Sequence, residues 1–181
     1  MASRISKHNT NVLFIDHDDS YIRDVLVRFE EVNKYNVKIY SRSKEFFEDF
    51  ERIPRSRNEI YIIFLSTNLE TDEDDNQVEV LDVLKKIKEI NPFAEVVLYS
   101  DNDDINTVSA AFHYGAYTFI KKNENIFLRI ENNIKGIISQ KNFLIQKKAS
   151  RRFTRLFFLF IIVLVLALLL SYMIFPEWFL S

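Results

Sequence analysis

A chain of 181 residues, 48% hydrophobic and 28% charged, has room for one domain of ordinary size and a short appendage, since single domains run to about 100–150 residues. Residues 1–146 carry 19 Lys and Arg against 25 Asp and Glu, a balance of −6 without a basic stripe, which argues against nucleic acid as a partner. The absence of cysteine excludes disulfides, thiolate metal sites and cysteine nucleophiles.

The polar residues 1–10, His8 among them, are expected to be disordered. They lead only into a strand-length apolar run and so lack the hydrophobic region of a secretory signal, which keeps the N-terminal part in the cytoplasm. Residues 11–16 (NVLFID) then predict a strand, 19–32 a helix, 36–41 (NVKIYS) a strand and 43–53 a helix. A strand at 59–66 (EIYIIFLS), a helix at 77–90, a strand at 94–100 (AEVVLYS), a helix at 103–114, a strand at 116–120 (AYTFI) and a helix from 123 onward complete the series. The first, third and fourth strands are apolar almost throughout, as strands buried on both faces of a parallel sheet are, and belong at its centre. Asp, Ser or Asn opens several of the helices as a cap. Within them Tyr21, Val25 and Phe29, or Val80, Leu84 and Ile87, recur at helical spacing and should face the sheet. Strict alternation with short connections predicts an α/β fold, a doubly wound five-stranded parallel sheet. In such folds the working site lies at the carboxyl ends of the strands, here Asp16, Ser66, Ser100 and Ile120 with the loops after them.

Four segments at those strand ends carry a family likeness: VLFIDHDDS at 12–20, YIIFLSTNL at 61–69, VVLYSDNDD at 96–104 and GAYTFIKK at 115–122. In this order, with helices between them, residues 11–145 resemble the CheY-like receiver domain of two-component response regulators. The resemblance implies the strand order 2-1-3-4-5 and a phosphorylation pocket. That pocket uses two acids after the first strand to hold Mg²⁺, an Asp ending the third to accept phosphate, a Ser or Thr after the fourth and a Lys after the fifth. Here those positions fall on Asp16 and His17, on Ser66, on Ser100 and on Lys122. Phe119 matches the aromatic position that changes rotamer with activation.

Two departures make the pocket degenerate. A neutral imidazole at His17 is a poor ligand for a hard, oxygen-seeking ion, which leaves Asp16 and Asp18 as weak candidates for Mg²⁺ and no cofactor expected. A Ser66 hydroxyl without a general base is a poor nucleophile toward phosphohistidine and would yield a stable ester where a carboxylate yields an acyl phosphate. Standard phosphotransfer is therefore not expected. Lys122 either bridges to the acidic pocket and holds one state of the domain or is inherited packing; both readings stand. The family's Pro after the Lys is Asn123 here, so a cis peptide, costing about 2.5–4 kcal/mol without Pro, is not expected.

The third connection carries Glu70, Asp72, Glu73, Asp74 and Asp75. A solvated acidic loop is the plain reading, a partner-docking loop or a divalent-cation clamp the alternatives. His113 is expected to close its helix. Further on, Phe127, Ile130, Ile134, Ile137, Lys141, Leu144 and Lys148 recur at spacings of three and four, the seam of a coiled coil. Part of that seam is domain core, and the whole outlines a possible homodimer through residues 127–148. No Pro occurs between Pro92 and Pro176, so one helix is free to run from 125 onward through a basic linker, 141–155.

Residues 156–175 (LFFLFIIVLVLALLLSYMIF) contain no charge, and as a helix they would span about 30 Å, the thickness of a bilayer core. Lys147, Lys148, Arg151, Arg152 and Arg155 precede this run and only Glu177 follows it, so the positive-inside rule places the N-terminal domain in the cytoplasm. Tyr172, Trp178 and Phe179 suit an aromatic belt on the far side, where the tail 176–181 would emerge. The expected protein is a single-pass component of the cytoplasmic membrane with a receiver-like domain, residues 11–140, that signals or scaffolds by protein contact. Phosphorylation independence and the lack of an enzymatic reaction follow from the pocket. Two alternatives remain: a divergent receiver still phosphorylated through Asp16, Asp18 or an acid of the 70–75 loop, or a structural subunit of a membrane machine.

Overall fold

The computed structural model describes residues 9–53, 59–69, 79–102 and 104–174, except for the side chains of 148–153 and 167–174. The acids of the 70–75 loop, His8, Trp178, Phe179 and the side chains of Lys148, Arg151, Arg152 and Tyr172 lie outside the described residues.

Strands and helices alternate as β1 (Thr10–Ile15), α1 (Asp19–Val27), β2 (Asn36–Tyr40), α2 (Ser43–Arg52), β3 (Ile60–Ser66), α3 (Val80–Ile90), β4 (Glu95–Ser100), α4 (Ile105–His113), β5 (Thr118–Lys121) and α5 (Ile126–Ile174). The five strands form one parallel sheet in the order β2-β1-β3-β4-β5. β3, the middle strand, is buried at every position, as its unbroken apolar run predicts. β2 lies at an edge and is polar at alternate positions, which suits a strand with one solvated face.

The period of two divides each central strand between two cores. Leu13, Ile15, Tyr61, Ile63, Leu65, Val96 and Leu98 pack with Phe46 and Phe50 of α2, Val80, Val83, Leu84 and Ile87 of α3 and Ala111 of α4. The alternate positions Val12, Phe14, Ile62, Phe64, Val97 and Tyr99 are buried on the opposite face, together with Ile22 and Val25 of α1 and Ile126, Ile130, Ile134 and Ile137 of α5. Phe14 and Phe64 stack across neighbouring strands, centroids 4.9 Å apart.

Several boundaries differ from expectation, and three of them have a visible cause. α1 ends at Val27, short of residue 32, because three-residue hydrogen bonds (Arg28 N to Val25 O, Phe29 N to Leu26 O, Val32 N to Phe29 O) replace the helical ladder. That turn buries Phe29, which stacks on Tyr35 with centroids 5.7 Å apart. α4 starts at Ile105 because Asp104 caps it, accepting from the N–H groups of Asn106 and Thr107. β5 begins at Thr118, two residues late, since Gly115 at φ +90° and the turn around it occupy the residues before.

The coiled-coil seam is divided as well. Ile130, Ile134 and Ile137 are core residues of the domain, so the homodimer drawn through 127–148 loses its central contacts to the sheet. Leu144 is the exposed apolar seam residue that is left. The chain separates into two compact units, one reaching Ser139 and one containing Gln140 onward; α5 supplies residues to both. Among the described residues no helix is long and apolar enough to cross a membrane. The uncharged run continues in the sequence beyond Leu166, the last residue of that run whose side chain is described.

Candidate functional site

β1 closes at Ile15, yet the Asp16 N–H still donates to the Tyr40 carbonyl at 3.1 Å, extending the ladder by one bond and placing the carboxylate at the carboxyl edge of the sheet. Asp16 is fully buried. A buried charge needs a partner, and it has one. Lys122 Nζ donates to Asp16 Oδ2 at 3.0 Å, with the lysine side chain only 8% exposed. Lys122 sits just past β5, where its own N–H donates to the Ser100 carbonyl at 2.7 Å. The ammonium also lies 5.0 Å from the ring centroid of Tyr21 and 5.1 Å from that of Tyr99, within cation–π range. Asp101, mostly exposed, stands 3.9 Å from it.

The second oxygen of Asp16 is occupied too. Oδ1 accepts from the Asp18 N–H at 3.1 Å and lies 3.2 Å from His17 Nδ1. The same ring nitrogen is 3.1 Å from the Asn68 carbonyl, so an imidazole protonated at Nδ1 donates into the gap between the loops after β1 and β3. Asp18 does not turn toward this pocket. It caps α1, its Oδ1 accepting from the Ser20 hydroxyl at 2.6 Å and the Tyr21 N–H at 2.9 Å. These bonds, the Ser20 one first, hold its carboxyl below the usual carboxylate range.

Ser66 and Ser100 are buried at the ends of β3 and β4, and each closes a turn with its hydroxyl oxygen. Ser66 Oγ accepts from the Asn68 N–H at 3.2 Å. Ser100 Oγ accepts from the Asn102 N–H at 3.0 Å and from the Thr67 hydroxyl. Phe119 is half-buried and lines a cleft of about 480 Å³ with Thr67, Leu98, Ser100 and Thr107. The Lys122–Asn123 peptide is trans. His113 is exposed in the last turn of α4. Lys147 and Arg155 are exposed on α5.

Tyr99 and Tyr21 are the site residues that sequence reasoning passed over. Tyr99 pairs in register with Ser66 and points to the face opposite Leu98. Its hydroxyl is buried close enough to Asp16 to feel the carboxylate but makes no hydrogen bond of good geometry. Burial first, then the Asp16 charge, pushes its phenol well above the ordinary value. Burial and the charges of Asp101 and Asp16 raise Tyr21 as well. A tyrosine inside an apolar strand, one residue before the strand-end Ser100, was the available signal.

These shifts predict an alkaline limit to stability. Burial also raises Tyr40 and Tyr61, followed by their hydrogen bonds to Asp49 and Glu59. A phenol raised on folding contributes stability that is whole below the unfolded value, about pH 10, and is lost as pH climbs toward the folded value. Phenolate absorbance from these residues should therefore appear together with the loss of circular dichroism. Phenolate formation that runs to completion with the dichroism intact would contradict their burial.

Neither a family model nor a curated protein sequence matches the chain. Solved structures do. A CheY-like receiver domain protein from Methanospirillum hungatei JF-1 superposes with a TM-score of 0.59 at 18% identity, covering 73% of this chain and 95% of the other. A receiver domain protein from Clostridium thermocellum gives 0.60 at 20%, covering 75% and 98%. The beryllofluoride-activated NtrC4 receiver domain dimer gives 0.59 at 19%, covering 72% and 98%. At such identities the likeness shows the fold alone, and that fold, with its five parallel strands in the order 2-1-3-4-5, is the one response-regulator receivers adopt.

Proposed function

We propose that the protein is a membrane-anchored, receiver-like signalling or scaffolding module that acts by protein contact, without phosphorylation and without an enzymatic reaction of its own. The observation that carries this reading is the buried Asp16–Lys122 pair. It holds one carboxylate and one ammonium, so the pocket is charge-balanced without a divalent ion. The donor set does not fit Mg²⁺, which favours octahedral oxygen coordination. Asp16 gives one oxygen to Lys122, His17 Nδ1 lies between the other and the Asn68 carbonyl, and Asp18 is held as a helix cap. The buried Ser66 hydroxyl closes a turn, and among the described residues no carboxylate or imidazole hydrogen-bonds to it.

Contact would run through the exposed side of α4. Ile105 is 81% and Phe112 49% exposed, and with Val108, Ser109 and Phe119 they border a groove of about 490 Å³. The solved NtrC4 receiver is a dimer, which supports contact between domains of this fold as an output. Anchoring rests on the uncharged run 156–175 and the basic residues before it, with the domain on the cytoplasmic side.

Incubation with a small phosphodonor and Mg²⁺, followed by intact-mass measurement, tests the reading. The expected spectrum is unchanged. A hydroxylamine-labile addition of one phosphoryl group would show an acyl phosphate on Asp16, Asp18 or an acid of the 70–75 loop and would overturn it.

A further inference from the structure

We propose that the segment of α5 leading into the apolar run is a binding stripe for anionic phospholipid headgroups, formed by Lys147, Lys148, Arg151, Arg152 and Arg155. The inference rests on the membrane attachment proposed above and adds to it a lipid class and a helix face. Positive charge before a span sets orientation wherever on the helix it falls; these residues are arranged more narrowly than that.

Residues 132–176 contain no Asp or Glu, so nothing on this stretch of helix neutralises the five cations. Lys135, further back, already pairs with Glu131. The backbone is helical from Ile126 to Ile174, and at about 100° per residue the five positions fall within an arc of about 140°. Gln146, Ala149, Ser150 and Phe153 take the other side. The five also lie within about 12 Å along the axis, close to one Debye length of roughly 8–10 Å, and Arg155 directly precedes Leu156, where the apolar run begins. Lys141 lies about 22 Å from Leu156 by the same rise, more than two Debye lengths from the start of the apolar run. Three of the five are arginines, whose planar forks match phosphate oxygens. A lipid surface fits better than a nucleic acid for two reasons. The stripe opens directly onto apolar surface, and residues 1–146 before it carry a charge of −6, from 19 basic against 25 acidic residues, which repels an extended polyanion.

The chain contains no cysteine, so Gln146→Cys allows one donor fluorophore on the full-length protein. Energy transfer from it to acyl-labelled phosphatidylglycerol or acyl-labelled phosphatidylcholine, in vesicles of both lipids, reads the local composition. Phosphatidylglycerol should be enriched around the label by about fivefold or more, since each basic residue near an anionic surface is worth about that factor. The enrichment should fall in high salt and drop severalfold in Lys147→Gln, Lys148→Gln, Arg151→Gln, Arg152→Gln combined, which leaves Arg155 alone, while Lys141→Gln leaves it unchanged. A local composition equal to the bulk, or equal in the wild-type and the fourfold variant, would overturn the inference. So would displacement of the lipid signal by a single-stranded oligonucleotide. Flotation with pure phosphatidylcholine vesicles in high salt reads the anchor separately. A chain that floats there without enrichment retains the anchor and loses the stripe; one that fails to float, yet binds phosphatidylglycerol vesicles in a salt-sensitive way, does the reverse.

Discussion

Lys122→Met is expected to lower the stability of the domain by about 3–5 kcal/mol, the usual cost of removing one partner from a buried ion pair. Methionine keeps the length and apolar stem of the lysine, so the loss isolates the charge. Asp16 would be left fully buried with its Oδ2 unpaired. The reciprocal change, Asp16→Asn, should cost less. The stranded ammonium still has Asp101 at 3.9 Å and the rings of Tyr21 and Tyr99 above it, and the Asn carbonyl can accept from it. Combining the two changes should recover much of the loss, giving a coupling energy of about 1.5–3 kcal/mol in a double-mutant cycle read by urea unfolding. A single-variant loss below about 1 kcal/mol, the value typical of exposed pairs, would mean that water reaches the pair. In that case the charge-balanced pocket could not be what holds the domain in one state.

Ser66→Asp is expected to be nearly as damaging and to leave the protein unphosphorylated. The new carboxylate would sit at a fully buried strand end, in register with Tyr99 and on the same sheet face as Asp16. One lysine cannot neutralise two buried acids, so the folded state should lose about 3 kcal/mol or more. Adding His17→Asp removes the imidazole nitrogen from between Asp16 Oδ1 and the Asn68 carbonyl and supplies a third carboxylate. That double variant should be the first form to bind Mg²⁺ measurably. Its melting temperature should rise with the ion, by an amount corresponding to about 2.7 kcal/mol at a hundredfold excess over the dissociation constant. A melting temperature indifferent to Mg²⁺ would place the block in Tyr99 or in the loop after β3, beyond the two replaced ligands.

Much of the fold was legible because the relevant signals are local. The unbroken apolar runs of β1, β3 and β4 require two covered faces and hence the middle of a parallel sheet, and the five strands do pair in the order 2-1-3-4-5. Helix ends were less legible. The end of α1 depends on Phe29 turning in to stack on Tyr35, six residues further on, a contact that helical spacing does not encode. The heptad seam after residue 127 is ambiguous in sequence for a related reason. A helix that packs on a sheet and a helix that packs on its twin both need an apolar stripe at spacings of three and four, and only the assembled domain assigns Ile130, Ile134 and Ile137 to the sheet.

The candidate site divides in the same way. By itself the sequence determined that an imidazole stands at His17 and a hydroxyl at Ser66, because a residue's identity decides its charge and nucleophilicity wherever it lies. It also determined the charge asymmetry about residue 156, which needs only composition and order. Tertiary structure alone decided that Asp16 and Lys122, 106 positions apart, make a buried pair. It likewise decided that Tyr21 and Tyr99 flank the ammonium and that His17 reaches the Asn68 carbonyl. Each of these depends on strands β1, β3, β4 and β5 ending at one sheet edge, where a parallel register gathers residues that are far apart along the chain. Electrostatic partners are then chosen by distance and burial, neither of which a linear spacing contains.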